Sequence, residues 1–94
     1  MTAYWIAHVT VTDPAAYAGY QATAPAAFAA HGATFLARGG QSTTCEGPAA
    51  ARHVIIAFPS YAAALACYNS PEYQAAKAKR DGACTASVVI TEGL

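Results

Sequence analysis

"ATFLARGGQSTTCEGPAAARHVIIAFP", residues 33–59, decides the fold. It holds two strand-like runs, "ATFLARGG" and "RHVIIAFP". Both are rich in β-branched and aromatic residues, and Pro59 ends the second. The connection between them, "QSTTCEGPAAA", carries Gly47 and Pro48 and no helical periodicity, so it reads as a loop. Two strands therefore follow each other with no helix between them.

The flanking segments complete the pattern. "AYWIAHVTV" (3–11) reads as a first strand. In "TDPAAYAGYQATAPAAFAAHG" (12–32), Asp13 suits a helix N-cap and Pro14 the first helical position. Tyr17, Tyr20 and Phe28 recur at near-helical spacing, and Gly32 suits the stop. Pro25 lacks the backbone N–H a helix needs, so a kink or break is expected there. After Pro59, Ser60 caps a helix over "YAAALACYN". Ser70, Pro71 and Glu72 then repeat the starting signature in "SPEYQAAKAKRDG", which implies one bent helix or two short ones. Lys77, Lys79 and Arg80 stand near its C-terminal end, where cations suit the helix dipole. "ASVVITEG" (86–93) is a fourth strand.

The order β-α-β-β-α-β predicts a single α+β, ferredoxin-like domain over residues 1–94, with both helices on one face of a four-stranded antiparallel sheet and strands one and three central. Alternation places Trp5, Ala7 and Val9 on one face and Tyr4, Ile6 and His8 on the other. Val54, Ile56 and Phe58 likewise oppose His53, Ile55 and Ala57. Both faces carry large apolar groups, and helices can cover only one. The other is expected to pair with an identical chain, leaving room for a pocket between sheet and helices or between sheets.

Composition points the same way. The 94 residues are 55% hydrophobic and only 11% charged, where ordinary domains are about 25% charged. Net charge is zero and there is no basic run, which argues against nucleic acid. No apolar stretch is long enough to span a bilayer and no signal peptide is evident, so a cytoplasmic protein without a membrane partner is expected. Cys45, Cys67 and Cys84 are odd in number and form no CxxC pair. They read as free thiols in a reducing compartment, with no metal site.

"VTDPAAYAGY", "GATFLARGG", "CEG", "FPS" and "YNSPEYQAAKAKR" occur in the order and spacing of the domain-of-unknown-function 1330 family, which this chain resembles from about residue 3 to residue 93. The resemblance implies a ferredoxin-like protomer of the dimeric α+β barrel superfamily, paired through its sheet. It supplies no reaction. Wider relatives include cofactor-free oxygenases, lactone isomerases and stress-response barrels. A Glu is common in the family where this chain has Ala57.

Candidate chemistry rests on few residues. Arg38, expected by alternation on the face of Thr34 and Leu36, either grips a carboxylate, phenolate or enolate in an apolar pocket, or is a strand-end arginine paired with an acid such as Glu46. His8 is a candidate base, or else a hydrogen-bonded interface histidine. Tyr17, Tyr20, Tyr68 and Tyr73 are ligand-binding candidates that would line an aromatic pocket with hydroxyl tips, or else core packing. Ser70 joins that set beside Tyr68 and Tyr73, although its first role reads as a cap. There is no phosphate loop, nucleophile elbow or carboxylate pair. The expected function is binding of a small polar or anionic aromatic or keto molecule, with cofactor-independent oxygenase or isomerase chemistry as its catalytic form. The alternative is a non-catalytic dimerisation or stress-response module.

Overall fold

The computed structural model describes residues 1–94. The elements run β1 (Ala3–Val11), α1 (Pro14–Ala30), β2 (Thr34–Arg38), β3 (Arg52–Phe58), α2 (Tyr61–Tyr68), α3 (Pro71–Lys79) and β4 (Cys84–Glu92). The sheet order is β2-β3-β1-β4, with every neighbouring pair antiparallel. This is the ferredoxin-like arrangement, with β1 and β3 central.

The helix starts follow their caps. The side chains of Asp13, Ser60 and Ser70 accept hydrogen bonds from the backbone N–H groups of Ala16, Ala63 and Tyr73. The second helical region is two helices rather than one bent one. Ser70 both caps α3 and donates to the carbonyl of Cys67 at 2.7 Å, which fixes the corner between them. Pro25 does not break α1, contrary to expectation: the helix runs through it to Ala30. The hydrogen bond it cannot donate would have gone to the carbonyl of Gln21, an exposed residue whose carbonyl is not sealed in the core. His31 closes α1, its Nδ1 within 2.9 Å of the carbonyl of Ala27.

The core lies between the helices and one sheet face. Trp5, Ala7, Val9, Ile56 and Phe58 come from the sheet; Tyr17, Phe28, Cys67 and Tyr73 come from the helices. Trp5 is its centre, with ring centroids of Tyr73 and Phe28 at 4.9 and 5.1 Å in edge-on contact and those of Tyr68 and Phe58 at 5.6 and 6.0 Å. The other sheet face carries no helix. There Ile6 stands between Ile55 and Val89, and His8 stands between His53 and Ser87. Val89 is 55% exposed and Leu36 57%.

β2 departs from simple alternation. Phe35 pairs with Ile56, Ala37 with Ile55 and Arg38 with Val54, so Leu36 and Ala37 together oppose one residue. This is a β-bulge. It turns Arg38 away from the face of Thr34 and puts it on the helix-bearing side with Phe35. The guanidinium carbon stands 4.2 Å from the centroid of the Phe35 ring. Gly39 follows with φ +71°, and its bare α-carbon gives the Arg52 guanidinium its place; a Cβ there would collide with it.

Candidate functional site

The sheet has a space on each side, and the two are unlike. The inner one, between sheet and helices, measures only about 40 Å³. Tyr17, Tyr20 and Phe28 reach into it from α1, Trp5, Val9 and Ile56 from the sheet, and Arg80 from beyond α3. The hydroxyls of Tyr20 and Tyr73 meet at 3.0 Å. Arg80 donates to the Tyr73 hydroxyl at 3.5 Å, and its guanidinium carbon lies 5.0 Å from the Tyr20 ring centroid. Small-molecule sites run to roughly 300 Å³ and above, so this one is packed shut. Tyr68 packs against Trp5 and Tyr73. The structure thus gathers all four candidate tyrosines on one side, as core.

Burial sets the electrostatics of this side. It pushes the phenol of Tyr20 far up, aided by the neighbouring Tyr73 hydroxyl, and it raises Tyr17 against the pull of Arg52. Burial, with a smaller contribution from Glu72, pushes the Cys67 thiol up to about 11. In each case the folded state holds its proton more tightly than the unfolded chain does. The stability this confers is complete below the ordinary Cys value of 9.0 and is lost as pH rises through the raised values. Urea unfolding at pH 7, 9 and 10.5 should therefore show a falling midpoint above pH 9, and Cys67→Ala should remove part of the fall. A flat profile would contradict this burial.

The outer space is of ligand size, about 940 Å³. Its floor is the helix-free sheet face at His8, Thr10, His53 and Ser87, and its wall is the β2–β3 connection. That connection spans residues 39–51, longer than most loops in compact domains. The β1–β3 register sets His8 directly across from His53. Their Nδ1 atoms are 2.8 Å apart and the rings stand edge-on, centroids 5.0 Å apart. Glu46 is the only acidic residue on the lining; Arg38 borders the cavity at its strand position, its guanidinium lying on the other side over Phe35.

The structure thus places His8 at the outer cavity and brings Arg38 only to its edge, with the guanidinium turned across the sheet onto Phe35, while the tyrosines and Ser70 lie elsewhere. His53 escapes sequence reasoning because its link to His8 spans 45 residues and exists only through strand pairing. Arg80 escapes too: a cation at a helix end reads as a dipole partner, yet its spacing of seven from Tyr73 stacks the two on one helix face. Arg52 is the third. Its Nε is buried without a hydrogen-bond partner, at the strand position opposite Val9. The described side chains offer no cluster of three or more metal-ligating residues, and no helix is long and apolar enough to cross a membrane.

Solved structures share the fold at low identity. A protein of unknown function from Rhodopseudomonas palustris matches with a TM-score of 0.76 at 20% identity, covering 99% of this chain and 82% of that one. A dimeric protein of unknown function with a ferredoxin-like fold, from Bacteroides fragilis, matches at 0.65 and 13% identity, covering 98% and 96%. SnoaB, a cofactor-independent oxygenase from Streptomyces nogalater, matches at 0.63 and 16% identity, covering 99% and 93%. No curated protein matches the chain. A family model does, over residues 2–94, so the chain belongs to the family described as Domain of unknown function (DUF1330).

Proposed function

We propose that this protein binds a small polar or anionic keto or aromatic molecule in the outer cavity, with His8 and His53 as its polar floor, and acts on it without a cofactor. The observation that carries this reading is a ligand-sized space directly over a hydrogen-bonded histidine pair. SnoaB supports it by analogy, since cofactor-free chemistry occurs on the same fold.

The protomers pair through the helix-free sheet face. Ile6, Ile55, Val89 and Leu36 supply an apolar patch on that face with no other cover. The histidines lie two residues further along the strands, so pairing over the patch would border the cavity and help shield it from water. The Bacteroides fragilis protein, described as dimeric, supports this.

A thermal-shift screen of small carboxylates, phenols and keto acids tests the reading. A ligand at about 100 times its Kd adds about 2.7 kcal/mol, which raises the Tm of a domain this size by roughly 10 °C or more. The shift should shrink in His8→Ala and survive in Tyr20→Phe. The reverse pattern would move the site to the inner pocket. No shift with any compound would favour the second reading, a non-catalytic dimerisation or stress-response module, which the tyrosine-filled inner pocket supports.

A further inference from the structure

The histidine pair has a chemical consequence beyond binding. A 2.8 Å contact between two imidazole nitrogens needs one N–H and one lone pair. Two neutral rings joined through Nδ1 must therefore be opposite tautomers. The donor ring keeps its only hydrogen on Nδ1 and leaves Nε2 as a bare lone pair. The acceptor ring carries its hydrogen on Nε2. Neither Nε2 has a protein partner, and both rings line the cavity. One base and one acid thus stand side by side, preset by a single hydrogen bond.

We propose that His8 and His53 form a two-ring proton relay that interconverts the enol and keto forms of one bound molecule. This rests on the reading that the cavity takes a keto compound. The bare Nε2 accepts the enol O–H proton. The Nδ1 proton of that ring passes to Nδ1 of the other, whose Nε2–H is delivered to the α-carbon. The O–H bond breaks and its electrons form the C=O π bond. The C=C π pair becomes the new C–H bond. No electron enters or leaves, so no oxidant or cofactor is needed. The two rings finish with tautomers exchanged, and exchange with water at the exposed His8 resets them. A readily enolised keto compound is the class that a paired base and acid in one cavity would serve.

Phenylpyruvate is the probe. Its enol, diluted fresh into buffer, ketonises with a change in ultraviolet absorbance. The wild type should accelerate this by about 100-fold or more over buffer, the low end for positioned acid–base catalysis. His8→Ala and His53→Ala should each abolish the gain, and the double variant should be no slower than either, because two rings in one relay fail as a unit. His53→Asn, which keeps a polar group but cannot pass a proton through, should be as inactive as His53→Ala. Melting curves of all variants check that the fold is kept. Full activity in His53→Asn would overturn the relay and leave His8 a lone base. A phenylpyruvate-dependent thermal shift without acceleration would overturn the relay while the binding reading stands. Neither shift nor acceleration would count against both.

Discussion

Trp5→Ala should cost about 3–5 kcal/mol, enough to leave the domain largely unfolded or at the edge of folding. Trp5 is 1% exposed at the middle of β1, and its ring touches residues of α1, α2, α3 and β3. Removing it empties the one point where all three helices meet the sheet. The surrounding groups cannot collapse into the gap, because Phe28, Phe58 and Tyr73 are themselves fixed by each other and by the Tyr20–Tyr73 hydrogen bond. Trp5→Phe keeps most of the volume and should cost much less. Trp5 is the chain's only tryptophan, so the measurement is denaturant unfolding followed by circular dichroism, not fluorescence. A cost near 1 kcal/mol for Trp5→Ala would mean that the core does not centre there.

Val89→Asp should convert the proposed dimer to a monomer at micromolar concentration while leaving the protomer folded. Val89 is 55% exposed on β4, so within one protomer a carboxylate there stays in water and costs little. In a face-to-face pair the same carboxylate sits opposite apolar surface. A buried charge without a partner costs about 3–5 kcal/mol, and a two-fold axis places it twice in each dimer. The dissociation constant should therefore rise by at least about a thousandfold. Sedimentation velocity checks it, with melting curves to show that the fold is intact. A wild type that sediments as a monomer, or a variant that remains a dimer, would remove the sheet face from consideration as the interface.

Much of this architecture is legible in the chain, for identifiable reasons. Alternation in β1 sorts Trp5 from His8 correctly, because a central strand with neighbours on both sides keeps strict register. The caps Asp13, Ser60 and Ser70 mark helix starts because their hydrogen bonds are local. Reading fails where the deciding contact is remote. Pro25 looks like a breaker, but the cost of one hydrogen bond is offset by the buried residues on either side of it, Ala24 and Phe28. Arg38 is assigned to the wrong face because a bulge on an edge strand leaves no mark in a five-residue run. The pairing of His8 with His53 needs the β1–β3 register before either histidine has a partner.

That bulge makes sidedness at this edge a matter of counting. Closing the bulge without deleting a residue would restore regular alternation, move Arg38 from opposite Val54 to opposite His53, and swing the guanidinium from its seat on Phe35 to the histidine side; deleting Leu36 or Ala37 would instead remove the bulge and leave Arg38 where it is. The register of β2, set by whether the bulge forms at a given length, therefore acts as a selector of which compartment receives the positive charge. The same five side chains paired without the bulge would offer an incoming anion the opposite face of the sheet, and a chain one residue shorter without the bulge would offer the face seen here.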